Sequence, residues 1–263
     1  VAYLGPKATY THQAALQQFP QSSIATLVPS PSIASVFTSV QDGESEYGVV
    51  PFENSSNGAV LPTLDLFASL PTSHPDVTII GEQFVDVHHC LMGRLTNTTE
   101  GGTPQIRSQP APDLQKLTVI HSHPQAWGQC TGLLSSLPNA EKVDSSSTSA
   151  AATKIASLVA KSPDGTTTEA AIASKLAAEL NNLDILRENI EDRSDNQTRF
   201  FVLARKKKDD PSPASPPTTP ARARHKTLLH FRVPVHGSPG ALADALAVFK
   251  KQGLSLSSMY TRP

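Results

Sequence analysis

The feature that most constrains the fold is a regular alternation of strand-like and helix-like segments through the first 204 residues. Apolar runs of strand length at 1–4, 23–28, 47–52 and 117–121 are each followed by a polar turn and a segment of helical pattern. Two of the predicted helices run from Gly58 to Leu70, with a bend at Pro62, and from Pro124 to Leu137. Such alternation is typical of parallel sheets covered by crossover helices. It occurs as two sets, on either side of an extended segment at 77–94. The sequence therefore predicts an α/β protein with two lobes and a ligand cleft between them.

Polar side chains follow two of the predicted strands at the point where each strand ends. Asn54, Ser55 and Asn57 come directly after the strand at 47–52, and a run of hydroxyl residues at 145–149 follows the strand at 141–144. In open α/β sheets, ligands bind beyond the carboxyl ends of strands, where helix N-termini favour anions. These residues predict an anion site in the cleft. Ordinary helix capping by Ser and Asn is the alternative.

Composition excludes several classes of function. The net charge of -1 lacks the basic surface that a nucleic-acid partner requires. Two cysteines, Cys90 and Cys130, form no disulfide framework and indicate a reducing compartment. The sequence contains no run of 18 apolar residues, the length that a membrane-spanning helix needs. We therefore expect a cytoplasmic protein. His88 and His89 are adjacent on an extended segment and would point to opposite faces, one exposed and one in the core, so we expect no metal site.

Two segments interrupt the alternation. Residues 96–116 are rich in Gly and Pro and predict an exposed insertion, and residues 206–224 contain five prolines between Pro211 and Pro220. The second segment has the composition of an extended linker and marks a domain boundary. Beyond it, residues 225–263 predict a strand at 226–235, a helix from Pro239 to about 253 and a strand at 254–259. Thirty-nine residues are too few for an independent core, so this module needs a partner.

Six sequence blocks together resemble the prephenate dehydratase family in order and spacing, and they span nearly all of residues 1–205. The blocks are Tyr3-Leu4-Gly5-Pro6 with Thr9-Tyr10-Thr11-His12-Gln13-Ala14-Ala15, Val50 to Gly58, Ser122-His123-Pro124-Gln125-Ala126, Ser147-Thr148-Ser149 with Ala151-Ala152, Ala170-Ala171-Ile172-Ala173-Ser174, and Asn196-Gln197-Thr198-Arg199-Phe200. The C-terminal residues resemble the phenylalanine-binding ACT module of the same enzymes.

The resemblance implies a fold, domains and a reaction. It implies a two-lobed catalytic domain at 1–205, like the type II periplasmic-binding-protein fold, with lobe 1 at about 1–80 and lobe 2 at about 81–205. A partial ferredoxin-like ACT module would occupy 225–263. The implied reaction removes carbon dioxide and water from prephenate to give phenylpyruvate in phenylalanine biosynthesis, without a metal or organic cofactor. L-phenylalanine is the implied feedback effector, and a homodimer or higher homo-oligomer is the implied assembly.

The resemblance also implies roles for particular residues. Thr198 would donate a hydrogen bond to the departing ring hydroxyl, with Asn54 and Gln125 as further catalytic residues. The remaining residues implied to bind substrate are Ser55, Asn57, Ser147, Thr148, Ser149, Arg199, Phe200 and Thr9. Strand alternation puts Phe200 on the face of Thr198 and Arg199 on the other face. Arg199 therefore has the alternative of pairing with Asp192 or Asp195, and Phe200 the alternative of core packing.

Other groups have both a catalytic and a structural interpretation. Glu53 is the alternative proton donor, although a hinge or capping carboxylate is favoured for it, and His12 and His123 are either proton relays or helix caps. Ala8 replaces the glycine usual in the family, and it would be strained if its φ is positive. The implied phenylalanine site comprises Gly240, Ala241, Leu242, Ala243, Thr261, Arg262 and Pro263. A full ACT module is about twice as long as this one, so regulation by phenylalanine is open.

Two rival functions remain from the sequence alone. Arogenate dehydratase has the same chemistry on a substrate with an amino group in place of the keto oxygen. A non-catalytic two-lobed protein would keep the cleft and bind a small molecule without turnover.

Overall fold

The computed structural model describes residues 1–20, 26–95, 113–206, 227–232 and 239–261. The chain divides into two compact units, Val1–Thr219 and Pro220–Pro263. The first unit contains two sheets, and the chain passes from the first sheet to the second and back again. This is the predicted class of fold, an α/β protein with two lobes.

The first lobe contains a six-stranded sheet in the order β2-β1-β3-β11-β5, with β4 paired to β3. Its elements are β1 (Ala2–Leu4), α1 (Tyr10–Gln18), β2 (Val28–Ser30), α2 (Ile33–Gln41), β3 (Tyr47–Asn54), β4 (Gly58–Ala59), α3 (Leu61–Ser73), β5 (Val77–Asp86) and β11 (Gln197–Arg205). The pairs β1–β2 and β1–β3 are parallel, whereas β11 is antiparallel to both of its neighbours. The expectation of parallel sheets is therefore wrong for this returning strand, because it enters from the other lobe and runs in the opposite direction.

The second lobe contains a five-stranded sheet in the order β10-β6-β9-β7-β8. Its elements are β6 (Cys90–Gly93), β7 (Val119–Ser122), α4 (Pro124–Trp127), α5 (Thr131–Ser135), β8 (Glu141–Asp144), α6 (Thr148–Lys161), β9 (Glu169–Ala173), α7 (Lys175–Leu180) and β10 (Asp184–Arg187), with a 3-10 turn at Leu114–Lys116. Strand β7 is parallel to β8 and β9, and β6 is antiparallel to β9 and β10. Both sheets are therefore mixed.

Two chain crossings connect the lobes. The first is at 87–89, between β5 and β6, and the second is at 188–196, between β10 and β11. The Val87 N–H donates to the Asn196 carbonyl at 2.8 Å, so the two crossings are hydrogen-bonded to each other. The predicted extended segment at 77–94 is the strand pair around the first crossing. The crossing itself lies several residues beyond the expected boundary near 81.

Several predicted elements have different bounds in the structure. The helix expected from Gly58 begins at Leu61, and Pro62 lies in its first turn instead of bending it. The helix expected at 124–137 is two short helices, since α4 ends before Gly128. Strand β10 was not predicted. The strand expected at 23–28 is wrong in position, because β2 begins at Val28; residues 21–25 lie outside the described part.

In the second unit, the predicted helix is confirmed as α8 (Ala241–Lys251). The strand predicted at 254–259 is wrong, because those residues are described without strand pairing; residues 227–232 of the other predicted strand are likewise unpaired. A strand requires a neighbour for its backbone hydrogen bonds, and this short module supplies none among its described residues. The insertion at 96–112, the linker at 207–226 and the segment at 233–238 lie outside the described residues.

The core of the first lobe covers both faces of its sheet. On one face, α2 and α3 pack over Phe52 and Phe201, whose ring centroids are 4.2 Å apart. On the other face, α1 packs over Tyr3, Val49 and Phe200. In the described part of the chain, no helix is both long and apolar enough to cross a bilayer.

Candidate functional site

A β-bulge at the end of β3 determines which residues meet across the first sheet. Thr198 pairs with Asn54, Arg199 with Glu53, and Phe200 with Pro51, which leaves Phe52 as an extra residue on β3. Without the extra residue, simple alternation would put Asn54 on the face of Phe52. The bulge re-aims the strand end, and cross-strand partners share a face. Asn54 therefore lies beside Thr198, on the face covered by α1.

The side chains of Asn54 and Thr198 are hydrogen-bonded to each other. Asn54 Nδ2 lies 2.9 Å from Thr198 Oγ1 and 2.9 Å from Asn196 Oδ1. At the other end of the same amide, Asn54 Oδ1 accepts the backbone N–H groups of Ser56 at 3.0 Å and Asn57 at 2.9 Å. The predicted proximity of Asn54 and Thr198 is found. Asn57 takes part through its backbone, and its side chain is exposed.

Ser55 ties the turn after β3 to the start of β11. Its backbone N–H donates to the Gln197 carbonyl at 2.9 Å, and its Oγ accepts the Gln197 N–H at 2.9 Å. The same Oγ donates to Asn196 Oδ1 at 3.2 Å. These bonds fix the backbone on both sides of the Asn54–Thr198 pair, so the protein's own hydrogen bonds determine the position of the pair.

The loop after β1 is ordered by Thr9. Thr9 Oγ1 donates to the carbonyls of Leu4 and Pro6, each at 3.1 Å, and accepts the His12 N–H at 3.2 Å as the N-cap of α1. Ala8 has a φ of 68°, so the condition under which the sequence predicts strain at this position is met. The hydroxyl of Thr9 is thus engaged in the loop itself.

The second lobe meets this loop through the starts of two helices. Ser149 Oγ donates to the Lys7 carbonyl at 2.8 Å, and Ser174 Oγ donates to the Ala8 carbonyl at 3.2 Å. Ser147 is the N-cap of α6 and accepts the Ala150 N–H at 3.0 Å. Thr148 is the first residue of α6 and is partly exposed. The N-termini of α6 and α7 therefore face the lobe that holds Asn54 and Thr198.

Gln125 occupies the start of α4 in the second lobe. Its backbone N–H donates to His123 Nδ1 at 3.3 Å, so His123 caps the helix, and the Gln125 side chain is exposed. Among the described residues, no hydrogen bond links Gln125 to Asn54 or Thr198. The predicted site residues therefore form two groups. The strand-end group of the first lobe contains Asn54, Ser55 and Thr198, and the helix-start group of the second lobe contains Gln125, Ser147 and Thr148.

Arg199 points to the opposite face from Thr198, as strand alternation predicted. Its guanidinium contacts Glu53 at 3.0 Å and Glu82 at 2.6 Å, and the side chain is 14% exposed. The expected alternative partners, Asp192 and Asp195, are wrong: they accept hydrogen bonds from the start of α5 and from a neighbouring arginine. Glu53, the alternative proton donor, is held by this ion pair on the face away from Thr198.

Phe200 lies on the face of Thr198 but is only 1% exposed. Its neighbours in the core include Tyr3, Val49 and Val85. Of the two interpretations that the sequence left open for Phe200, the structure shows core packing.

Three predicted histidines have defined environments. His12 Nδ1 accepts the Ala8 N–H at 3.1 Å, and burial, with Lys7 nearby, lowers the pKa of His12. His89 is buried and His88 is about half exposed, which confirms the prediction that they differ. Burial also lowers the pKa of His89, whose Nε2 lies 2.8 Å from Gln129 Oε1.

Asn196 is a site residue that the sequence patterns did not single out. It appeared only inside a family motif, yet its side chain contacts Asn54 and Ser55 and is 3% exposed. A usable signal existed, because Asn196 lies two residues before Thr198, and residues two apart share a face of an extended segment.

Among the described residues, the strand-end group lies neither in the lining of the larger cavity nor in a cluster of metal-ligating side chains. A cavity of about 580 Å³ lies between α1 and α7 at the crossings, and its lining, which includes Tyr10, Asp86 and Lys175, does not include Asn54 or Thr198. Over the described ranges, no cluster of three or more His, Cys, Asp or Glu residues could hold a metal ion. What the strand-end group offers is neutral hydrogen-bond donors in fixed positions.

Comparison with known proteins identifies relatives of the whole chain. A family model described as prephenate dehydratase matches residues 1–208. The bifunctional chorismate mutase/prephenate dehydratase of Pseudomonas aeruginosa is 36% identical over all of this chain and 60% of its own length. The probable prephenate dehydratase of Saccharomyces cerevisiae is 34% identical, over all of this chain and 81% of its own. The chain thus spans about 60% of the length of the bifunctional relative.

A solved structure agrees with the sequence matches. The prephenate dehydratase of Arthrobacter aurescens, in complex with L-Phe, superposes with a TM-score of 0.71 at 29% identity, over all of this chain and 75% of that one.

Proposed function

The chain belongs to the prephenate dehydratase family, and we propose that it is a lyase that converts prephenate to phenylpyruvate, water and carbon dioxide in phenylalanine biosynthesis. The observation that carries the proposal is the 2.9 Å hydrogen bond from Asn54 Nδ2 to Thr198 Oγ1 at the bulged end of β3. It places an oriented hydroxyl and an amide side by side at the carboxyl end of a strand, where α/β proteins bind ligands.

The proposed chemistry needs a donor at the leaving oxygen. Prephenate carries two carboxylates and a ring hydroxyl, and loss of the hydroxyl with carbon dioxide makes the ring aromatic. Thr198 Oγ1 accepts from Asn54, so the hydroxyl proton of Thr198 remains for the departing oxygen of the substrate. A donor fixed in advance at a developing charge typically contributes about 10²- to 10³-fold to the rate. Thr198 polarises the leaving group in this scheme. The electron pair of the breaking bond to the ring carboxylate makes the ring aromatic as the C–O bond breaks, and the departing hydroxide takes up one proton from the solvent to become water.

The second lobe supplies the attraction for the two carboxylates. The N-terminus of α6, with Ser147 and Thr148, and the start of α4, with Gln125, carry backbone N–H groups that favour anions. We propose that prephenate lies between these helix starts and the Asn54–Thr198 pair. The contacts of Ser149 and Ser174 with the loop after β1 support this arrangement, because they join the starts of α6 and α7 to the first lobe.

The direct test is turnover of prephenate by the purified chain. We expect phenylpyruvate, read from its ultraviolet absorbance in alkali, at a rate far above that of the uncatalysed reaction. A parallel reaction with arogenate, read as phenylalanine by chromatography, determines which substrate the protein prefers. Absence of product from both substrates, with the protein folded by circular dichroism, would contradict the proposal and leave a non-catalytic binding protein.

For the second unit, we propose a partial ACT module that binds L-phenylalanine in a homodimer or higher assembly. The relative from Arthrobacter aurescens was solved with L-Phe, and Gly240 has a φ of 97° at the start of α8, where a residue with a Cβ would be strained. Gly240 to Ala243 and Thr261 are described; Arg262 and Pro263 of the expected site lie outside the described residues. A titration of L-phenylalanine into the turnover assay, with light scattering for mass, tests this; a monomer insensitive to phenylalanine contradicts it.

The cellular setting is also a proposal. Cys90 and Cys130 are buried free thiols, and burial raises the pKa of Cys90 to about 11 and that of Cys130 to about 12. Such thiols fit the cytoplasm, where cysteines stay reduced. Fractionation of the source cells would test the location.

A further inference from the structure

Asn196 is a buried amide that the proposed chemistry does not use. It is the last residue of the second crossing, and its carbonyl accepts the Val87 N–H of the first crossing at 2.8 Å. Its side-chain Oδ1 lies 2.9 Å from Asn54 Nδ2 and 3.2 Å from Ser55 Oγ. Asn196 therefore lies where the crossings meet the strand-end group.

The hydrogen bonds of Asn54 determine which way each amide points. Asn54 Oδ1 faces the backbone N–H groups of Ser56 and Asn57, and a backbone N–H can only donate. The oxygen of Asn54 is therefore assigned, and its nitrogen must face Asn196 and Thr198. Because that nitrogen can only donate, Asn196 must present its own oxygen to Asn54.

This orientation leaves each group with a defined task. One N–H of Asn54 goes to Asn196 Oδ1 and the other is available for Thr198 Oγ1, with the Gln197 carbonyl as a longer contact at 3.3 Å. Thr198 then acts as the acceptor in this bond, so its proton must point elsewhere. Among the described residues, no hydrogen bond from the Thr198 hydroxyl to a protein acceptor is found.

The amide nitrogen of the Asn196 side chain argues against a purely structural role. Its Nδ2 is buried and has no hydrogen-bond partner among the described residues. A buried donor without a partner destabilises a protein, so a residue kept only for stability would not need this amide. The acceptor end makes two bonds, both to the group that holds Thr198.

We propose that Asn196 is a positioning residue for the dehydration, acting through Asn54. Its Oδ1 takes one N–H of Asn54, which aims the second N–H at Thr198 Oγ1 and so directs the Thr198 proton toward the leaving hydroxyl of the substrate. This inference rests on the proposed function, since it assigns Asn196 a role in the same reaction.

The first experiment compares two substitutions at this position by steady-state kinetics on prephenate. Asn196→Leu removes the acceptor oxygen, and we expect kcat to fall about 10- to 100-fold, within the range for a mispositioned donor, with KM within about threefold. Asn196→Asp keeps an acceptor oxygen toward Asn54 and Ser55, and we expect it to keep kcat within about fivefold. Its added negative charge would raise KM for a dianion. Equal losses of kcat in both variants, or an unchanged kcat in Asn196→Leu, would overturn the proposal.

A double-mutant cycle separates positioning from general loss of structure. If Asn196 acts through Asn54, the double variant Asn54→Ala with Asn196→Leu should have the same kcat as Asn54→Ala alone, within about twofold. Multiplication of the two single losses would show that Asn196 acts independently, and would contradict the proposal. Should Asn196→Leu fail to fold, the same cycle with Asn196→Ser gives the answer, because a shorter hydroxyl cannot reach Asn54 in the same geometry.

The control is the neighbouring residue. The Gln197 side chain bonds to Asp86 at 2.8 Å, away from Thr198, so Gln197→Ala should leave kcat and KM unchanged. The wild-type protein distinguishes the two levels of failure. If it does not turn over prephenate, the proposed function fails; if it does and the Asn196 variants behave otherwise than expected, only the role of Asn196 fails.

Discussion

The two lobes prepare their polar groups in different ways. In the first lobe, the donors bond to each other across strands: Asn54 and Thr198 are 144 residues apart in sequence and 2.9 Å apart in space. In the second lobe, Ser147 bonds to the backbone N–H of Ala150, three residues along its own helix. Side chains locked by long-range contacts keep one geometry, whereas helix starts provide a diffuse attraction for anions. We therefore expect the first lobe to control the rate and the second to control the affinity.

The largest expected effect tests the first half of this comparison. Thr198→Val keeps the shape of the side chain and removes its hydroxyl, so kcat should fall at least about 100-fold. KM should change by less than about threefold, because a donor used in the transition state contributes little to ground-state binding. Steady-state kinetics on prephenate measure both constants. Thr198→Ser should recover part of kcat. A rise in KM with kcat unchanged would show that Thr198 contributes to substrate affinity instead of rate, and would contradict the expected difference between the two lobes.

The next effect separates the two faces of the first sheet. Arg199 bridges Glu53 and Glu82 over the rings of Phe52 and Phe201, opposite to Thr198. Arg199→Met removes the guanidinium that both carboxylates contact in a partly buried place, and the free energy of unfolding should fall by about 2–3 kcal/mol. Urea unfolding measures this change.

A matched arginine and a kinetic assay sharpen the same prediction. Arg193→Met breaks an exposed pair with Asp195, 2.8 Å long, and exposed pairs contribute less than about 1 kcal/mol. For Arg199→Met molecules that remain folded, KM for prephenate should stay within about threefold. A large loss of affinity in folded protein would show instead that Arg199 contacts the substrate.

The difference between the lobes also explains how much the sequence could predict. Local patterns located the second lobe's helix starts to within two residues, because a cap depends on a few neighbouring residues. The hydroxyl run at 145–149 predicts a helix from residue 150, and α6 begins at Thr148 with Ser147 as its N-cap. Patterns also separated the faces of Thr198 and Arg199, since alternation has a fixed period of two.

Contacts between residues far apart in the chain could not be predicted from local sequence patterns, for a physical reason. The bulge at Phe52 adds one residue to β3 relative to β11, and only the pairing of two distant strands reveals it. Alternation along β3 alone would have put Asn54 on the wrong face. The contacts of Asn196 with Asn54 and Ser55 join segments about 140 residues apart, so the sequence contained only the local signal that Asn196 lies two residues before Thr198. Strand β10 pairs with β6 at the sheet edge, where few residues are fully buried and the apolar signal is weak.

A smaller effect tests the second lobe. Ser147→Ala removes the N-cap of α6, which should lower the free energy of unfolding by about 1 kcal/mol. If this helix start attracts the substrate carboxylates, KM should rise a few-fold while kcat stays within about twofold. Ser32 is the matched control, since it caps α2 through the Ser35 N–H at 3.1 Å. Ser32→Ala should lose similar stability with no change in KM. Equal KM values for the two variants would contradict a role for α6 in binding.

The smallest expected effect lies at Ala8, where the lobes meet. Its φ of 68° costs an L-residue about 1–2 kcal/mol, so Ala8→Gly relieves strain. The substitution also removes a methyl group, 2% exposed, from a core cluster that includes the second-lobe residues Ala151 and Met92, a loss of about 0.8 kcal/mol. Glycine adds about 0.5–1 kcal/mol of conformational entropy to the unfolded chain. The gain and the two losses nearly cancel, so the free energy of unfolding should change by less than about 0.5 kcal/mol.

Urea unfolding of Ala8→Gly, read beside the kinetics, shows whether backbone strain or methyl packing matters more at this position. A gain above about 1.5 kcal/mol would mean that the strain at Ala8 outweighs the packing, and that the methyl contact between the lobes contributes little. A loss of that size would mean that the contact holds the lobes together. The Ser149 and Ser174 hydroxyls bond to the backbone of the same loop. A loosened contact at Ala8 would therefore move the helix-start group of the second lobe away from the strand-end group of the first lobe. It would then raise KM and lower kcat together, which no substitution confined to one lobe is expected to do.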